Sequence, residues 1–186
     1  MRPRDLFALI VEYSQHTPSD LDGRGRALRS GGLINTGPRG IHASHVTAAE
    51  ATRILIACAG AKKATDAAKA VETFESLKHI SGKSPADAPS FGEALTAVLS
   101  DDEYLSNNVL EVRIGLPGKS KALLDKPFGK IIWRGDDLAA LFRSGTSRQE
   151  NALFEHVGSL RMGTEAYIGG ELIAYIAGKL SEVSDA

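Results

Sequence analysis

A chain of 186 residues, 42% hydrophobic and 24% charged, has the size and composition of one or two globular domains with a real core. The longest apolar run, Ile54 to Ala61, is interrupted by Gly60 and falls short of the roughly 18 residues a bilayer span needs, and Met1 to Val11 lacks the form of a secretory signal. The single cysteine, Cys58, excludes a disulfide framework and a cysteine-built zinc site and points to a reducing cytoplasm. The net charge of −1 hides a division: residues 1–63 hold nine Lys/Arg against five Asp/Glu, a balance of +4, and residues 64–186 hold thirteen against eighteen, a balance of −5. Three of the five histidines, His16, His42 and His45, also lie in the positive part. A nucleic-acid-binding head on an acidic body produces this division, as does chance clustering of charge on a solvated face.

In chain order, Leu6, Leu9, Ile10 and Tyr13 recur at helical spacing between Asp5 and Ser14 and predict a short amphipathic helix. Thr17-Pro18 stops it. Ser19 and Asp20 offer cap oxygens for a second helix running to about Ser30, with Leu21 and Leu28 inward and Gly31-Gly32 as its stop. The interior glycines Gly23 and Gly25 weaken this helix by about 1 kcal/mol each. Two short helices joined by three or four residues are the geometry of a helix-turn-helix. Arg24, Arg26 and Arg29 lie on the second helix, with Ser19 and Ser30 at its ends. Arginine serves both guanine edges and phosphates, so these five residues are candidate DNA contacts; a basic helix facing solvent is the plainer alternative. Leu33-Ile34 reads as a short strand, Asn35 to Gly40 as a tight turn, and Ile41 as the start of a return strand. The resulting hairpin carries Arg39 near its tip and His42 and His45 at its base, the shape of a wing laid on the phosphate backbone.

Thr47 and Glu50 form a capping box that opens an apolar helix through Ala51, Ile54, Leu55 and Cys58, and Cys58 reads as a small core residue. Lys62 to Ile80 reads as a further Ala-rich helix with Ala67, Ala70, Val71, Phe74 and Leu77 on one stripe. The run Arg26-Ala27-Leu28-Arg29-Ser30-Gly31-Gly32-Leu33-Ile34, the Gly37-Pro38-Arg39-Gly40 hairpin and the helix opened by Thr47 resemble the winged-helix modules of MerR-like regulators. More closely, they are similar to DNA-binding proteins of prophages and related elements. The resemblance covers about the first third of the chain. It implies major-groove contact by Arg24, Arg26 and Arg29 and backbone contact at Arg39. A long terminal dimerisation helix and a cysteine-rich effector site, both typical of MerR proteins, are missing from the pattern, so metal or drug sensing is not implied.

Ser81 to Pro89, rich in Pro, Gly and Ser, reads as a linker over 81–90 between a winged helix-turn-helix domain with trailing helices (1–80) and an α+β dimerisation or interaction domain (91–186). Ser90 with Glu93 caps a helix through Leu95, Val98 and Leu99. Asn108 to Leu116 alternates as a strand, and Ala122 to Trp133 reads as a second extended segment. Asp136 to Phe142 reads as a short helix, Phe154 to Met162 as another strand, and Gly169 to Leu180 as a helix with Leu172, Ile173, Ile176 and Leu180 inward.

Catalysis finds no positive signal. Gly115 to Ser120 ends like a phosphate-binding loop, but such a loop needs glycine at position 113, where Arg113 stands. His79 and His156 have no carboxylates or cysteines at ligand spacing, so neither a metal nor a cofactor is expected. The acidic clusters Asp101-Asp102-Glu103 and Asp136-Asp137 read as helix edges and solvated turns. The sequence therefore predicts an α+β protein with an N-terminal winged helix-turn-helix, a non-enzymatic, cytoplasmic, nucleoid-associated regulator binding double-stranded DNA as a homodimer, with a further protein partner for its C-terminal domain and no membrane contact. The alternatives are a phage small-terminase-like DNA-recognition subunit and a protein-interaction adaptor without DNA binding.

Overall fold

The computed structural model describes residues 1–35, 44–101, 105–116, 127–134, 139–144 and 164–184. Helix α1 (Pro3–Tyr13) starts at a proline, where the missing N–H is not needed, and buries Leu6 and Ile10 on one face. Helix α2 (Pro18–Ser30) also opens on proline, with the Thr17 hydroxyl accepting from the Asp20 backbone N–H at 3.2 Å. Thr17 is thus the cap, two residues ahead of the expected Ser19. At the other end, Leu33 N–H donates to Leu28 O at 2.9 Å and Gly32 N–H to Arg29 O at 3.0 Å. Gly32 takes the left-handed φ of +68° that this closure requires. Leu33 and Ile34 continue as a bend rather than the predicted strand, with Ile34 buried. The rest of the predicted hairpin, Thr36 to Ala43 with Arg39 and His42, lies outside the described residues.

Helix α3 (Ala48–Gly60) begins with the predicted capping box: Glu50 N–H donates to the Thr47 hydroxyl at 3.2 Å, and Thr47 N–H to the Glu50 carboxylate at 3.0 Å. It buries Ala51, Ile54, Leu55, Ile56 and Ala57 and forms the centre of the molecule. A 3-10 turn (Ala64–Asp66) leads into α4 (Ala67–Glu75), whose inner stripe is Ala67, Ala70, Val71 and Phe74. The predicted helix over 62–80 is therefore shorter at both ends. Residues Lys78–Ser81 are strand β1, because Leu77 turns into the core and the following backbone pairs with the sheet.

The expectation of a linker over 81–90 is corrected by the packing. Ser84, Pro85, Ala88 and Ser90 are buried, and the Ser84 hydroxyl donates to Ala88 O at 2.7 Å. Helix α5 (Phe91–Ser100), with the Ser90 hydroxyl accepting from Glu93 N–H, lies against both α3 and α4. One hydrophobic core holds Leu6 and Ile10 of α1, α3 and α4, α5, and the sheet residues Val112, Ile114, Ile131 and Phe142.

After the short helix α6 (Leu105–Asn108) come β2 (Val109–Leu116), β3 (Phe128–Trp133), β4 (Ala139–Arg143), β5 (Thr164–Gly169) and the last helix, α7 (Gly170–Ser184). The five strands form an antiparallel sheet in the order β1-β4-β3-β2-β5. Among the described residues there are seven α-helices and one sheet, an α+β fold. The expectation of a helix over 136–142 is overturned over its described residues, 139–142. Ala139–Arg143 is a strand buried on both faces, with Ala140, Leu141, Phe142 and Arg143 all covered, and so lacks the polar–apolar alternation that marks a half-exposed strand. The strand expected over 154–162 lies outside the described residues. The closing helix matches its prediction: Ile173, Ile176 and Leu180 are buried and Leu172 is partly buried. No described helix is long and apolar enough to cross a membrane.

Candidate nucleic-acid interface

The two faces of α2 do different work. Leu21, Arg24, Gly25 and Leu28 face inward. Ser19, Asp22, Arg26 and Ser30 face solvent, and Arg29 sits half-buried at the flank. Gly25 permits a close approach to α1, since a Cβ there would stand 3.0 Å from Phe7 Cζ. The glycine that weakens the isolated helix is what lets α1 and α2 touch.

Arg24 is the principal correction to the predicted site. Only 3% exposed, it donates from Nε to Asp20 Oδ2 at 2.8 Å and from Nη1 to Ala57 O at 2.6 Å and Ala61 O at 3.0 Å. Ala57 lies in the last turn of α3 and Ala61 just beyond it, where carbonyls lack helical partners, so the guanidinium caps α3 from the side. An arginine so engaged is not available to a duplex. Asp20 completes the strut: its carboxylate also meets His16 Nδ1 at 2.7 Å, while His16 Nε2 lies 3.1 Å from Cys58 O. The Arg24 hydrogen bond, above all, holds the Asp20 carboxyl below the usual carboxylate range; burial opposes it and His16 adds to it. Cys58 is partly buried beside this network, and desolvation pushes its thiol up to about 12, so the thiolate is not formed at neutral pH.

Of the remaining predicted contacts, Arg26 pairs with Asp22 one turn back, Nη2 to Oδ2 at 3.4 Å, with both side chains more than half exposed. Such a pair is worth little in water and leaves the guanidinium free to exchange partners. Ser19, Arg26 and Ser30 share one face, seven and four residues apart, and His45 is exposed at the end of the segment that returns to α3.

The anchoring of that segment is a feature sequence reading missed. Glu50, identified only as a cap, also accepts from Asn35 N–H through Oε1 at 2.7 Å. One carboxylate therefore ties residue 35 to residue 47, so the chain leaves and returns at the same point. Arg53 reinforces the departing end, donating from Nη1 to Leu33 O at 2.9 Å while its Nε bonds Glu75 at 3.1 Å. Val46 N–H donates to Met1 O at 2.9 Å, fixing the returning end beside α1. Among the described residues, no group of three or more His, Cys, Asp or Glu side chains could hold a metal ion. Comparison with family models, curated proteins and solved structures returns no match.

Proposed function

We propose that this chain is a sequence-specific double-stranded DNA-binding regulator, of the kind carried by prophage-like elements, that docks through the outer face of α2 and the segment between Asn35 and Thr47. The observation that carries the proposal is the double tie of Glu50 to Asn35 and Thr47. It holds Asn35 and Thr47 on one carboxylate, so the two ends of the intervening segment meet where a wing would be rooted relative to a recognition helix. The inward strut of Arg24 supports the same reading, because it fixes α2 against α3 and leaves Arg26 and Arg29 as the cations of that helix. Arg39, carried on the segment between Asn35 and Thr47, is assigned the phosphate contact. With so few cations per chain, useful affinity needs two half-sites, and a homodimer is the proposed binding unit.

Fluorescence anisotropy against DNA fragments selected for binding, repeated across a salt series, tests the assignment. Arg26→Ala and Arg29→Ala are each expected to weaken specific binding by about 1–3 kcal/mol and relax base preference. Arg39→Ala is expected to weaken all duplexes alike and lower the salt slope by about one. Equal affinity of all three variants and the parent chain would sink the proposal.

A further inference from the structure

A cavity of about 590 Å³ opens between the C-terminal end of α1, the C-terminal half of α3, and one end of the sheet where β2 begins, β3 finishes and β5 passes into α7. Its volume falls in the range of small-molecule sites. Four large hydrophobic side chains are more than half exposed among the described residues, and three of them, Tyr13, Leu110 and Tyr167, line this one cavity, together with Leu172. Exposed apolar surface is ordinarily scattered singly, so its concentration around a concavity marks a place where something binds.

Two charged side chains define what that is. Arg134, at the sheet end, uses only its backbone N–H, on Asn108 O at 2.7 Å, and its Nε, on Val109 O at 3.4 Å. Its terminal amino groups have no partner among the described residues. Glu171, in the first turn of α7, has no hydrogen bond or ion pair among the described residues, and it does not pair with Arg134 although both line the cavity. A cation and an anion that line one apolar-walled cavity without pairing with each other complement a ligand that carries both charges and an apolar group. A planar carboxylate fits the guanidinium fork, an ammonium fits the single carboxylate, and a hydrophobic side chain fits between the tyrosines and leucines. We infer that this cavity binds a free α-amino acid with an apolar or aromatic side chain, its carboxylate on Arg134 and its ammonium on Glu171. The inference is independent of DNA binding and is tested without DNA.

Isothermal titration calorimetry of the full chain with L-phenylalanine, phenylalanine amide, N-acetylphenylalanine and glycine separates the contributions. L-phenylalanine is expected to bind, and the amide, the N-acetyl form and glycine each to bind about tenfold or more weakly. Arg134→Gln is expected to abolish the preference for the free acid over the amide, and Glu171→Gln the preference over the N-acetyl form. Both positions are solvent-accessible, so the variants keep the parent's far-UV circular dichroism and a loss of binding is not a loss of fold. No heat from L-phenylalanine at concentrations up to about 10 mM overturns the inference. So does binding of the amide or the N-acetyl form as tight as that of L-phenylalanine, or binding untouched by both substitutions.

Discussion

Arg24 and Arg26 stand two residues apart on one helix with opposite fates, and the difference is helical geometry. A displacement of two residues turns the side chain by about 200°, so one arginine meets the end of α3 and the other meets solvent. Composition alone does not separate them. The partners that decide Arg24 are carbonyls 33 and 37 residues away, so its burial follows from the tertiary fold. Arg24→Ala removes three hydrogen bonds and strands two carbonyls. It is expected to lower unfolding free energy by about 2–4 kcal/mol in urea denaturation. Lost DNA binding in this variant would accompany lost structure, unlike the effect of Arg26→Ala. The same strut carries a pH dependence. Because the folded Asp20 carboxyl titrates below its unfolded value of about 3.9, its contribution is complete above that value and disappears as the pH falls through the folded one. The stability advantage of the parent chain over Asp20→Asn is therefore expected to hold constant at neutral pH and to shrink below about pH 4, read as thermal midpoints across a pH series.

At the scale of elements, capping chemistry and amphipathic spacing marked most helices in advance. Thr47-Glu50, Ser90-Glu93 and Gly31-Gly32 are local signals, and each appears where it was expected. What was not legible was decided by burial at long range. Ala139–Arg143 reads as helical because four consecutive positions, Ala140 to Arg143, are buried, which erases the two-residue period of a strand. Lys78–Ser81 looked like the end of a helix because its strand character comes from pairing with β4, sixty residues onward. The second role of Glu50 was invisible for the same reason: an acid three residues after threonine announces a cap, and nothing in the sequence announces a bond to Asn35. Glu50→Ala is expected to cost about 1 kcal/mol through the cap and to release the departing end of the segment between Asn35 and Thr47. Trypsin should then cleave after Arg39 faster than in the parent chain at equal fraction folded, and an unchanged cleavage rate would show that the carboxylate does not hold the two ends together.

The whole molecule resolves the charge division differently from a head on a tether. The positive third and the acidic remainder share one core, with α5 packed on α3 and with Ser84, Pro85, Ala88 and Ser90 of the expected linker buried. The division of charge was readable from the sequence; the shared core was not, because Pro, Gly and Ser mark a turn as readily as a boundary. The +4 balance of residues 1–63 includes one arginine turned inward, which places a larger share of any DNA contact on Arg26, Arg29 and Arg39. The most direct measurement of that contact is the backbone amide spectrum of the isotope-labelled chain, recorded as a selected duplex is added. Shifts are expected at Ser19, Asp22, Arg26, Arg29, Ser30 and the residues from Asn35 to His45, with β1, β4 and the C-terminal half of α7 unmoved. Shifts that leave α2 untouched, or a spectrum that does not respond to duplex at all, would contradict the proposed contact.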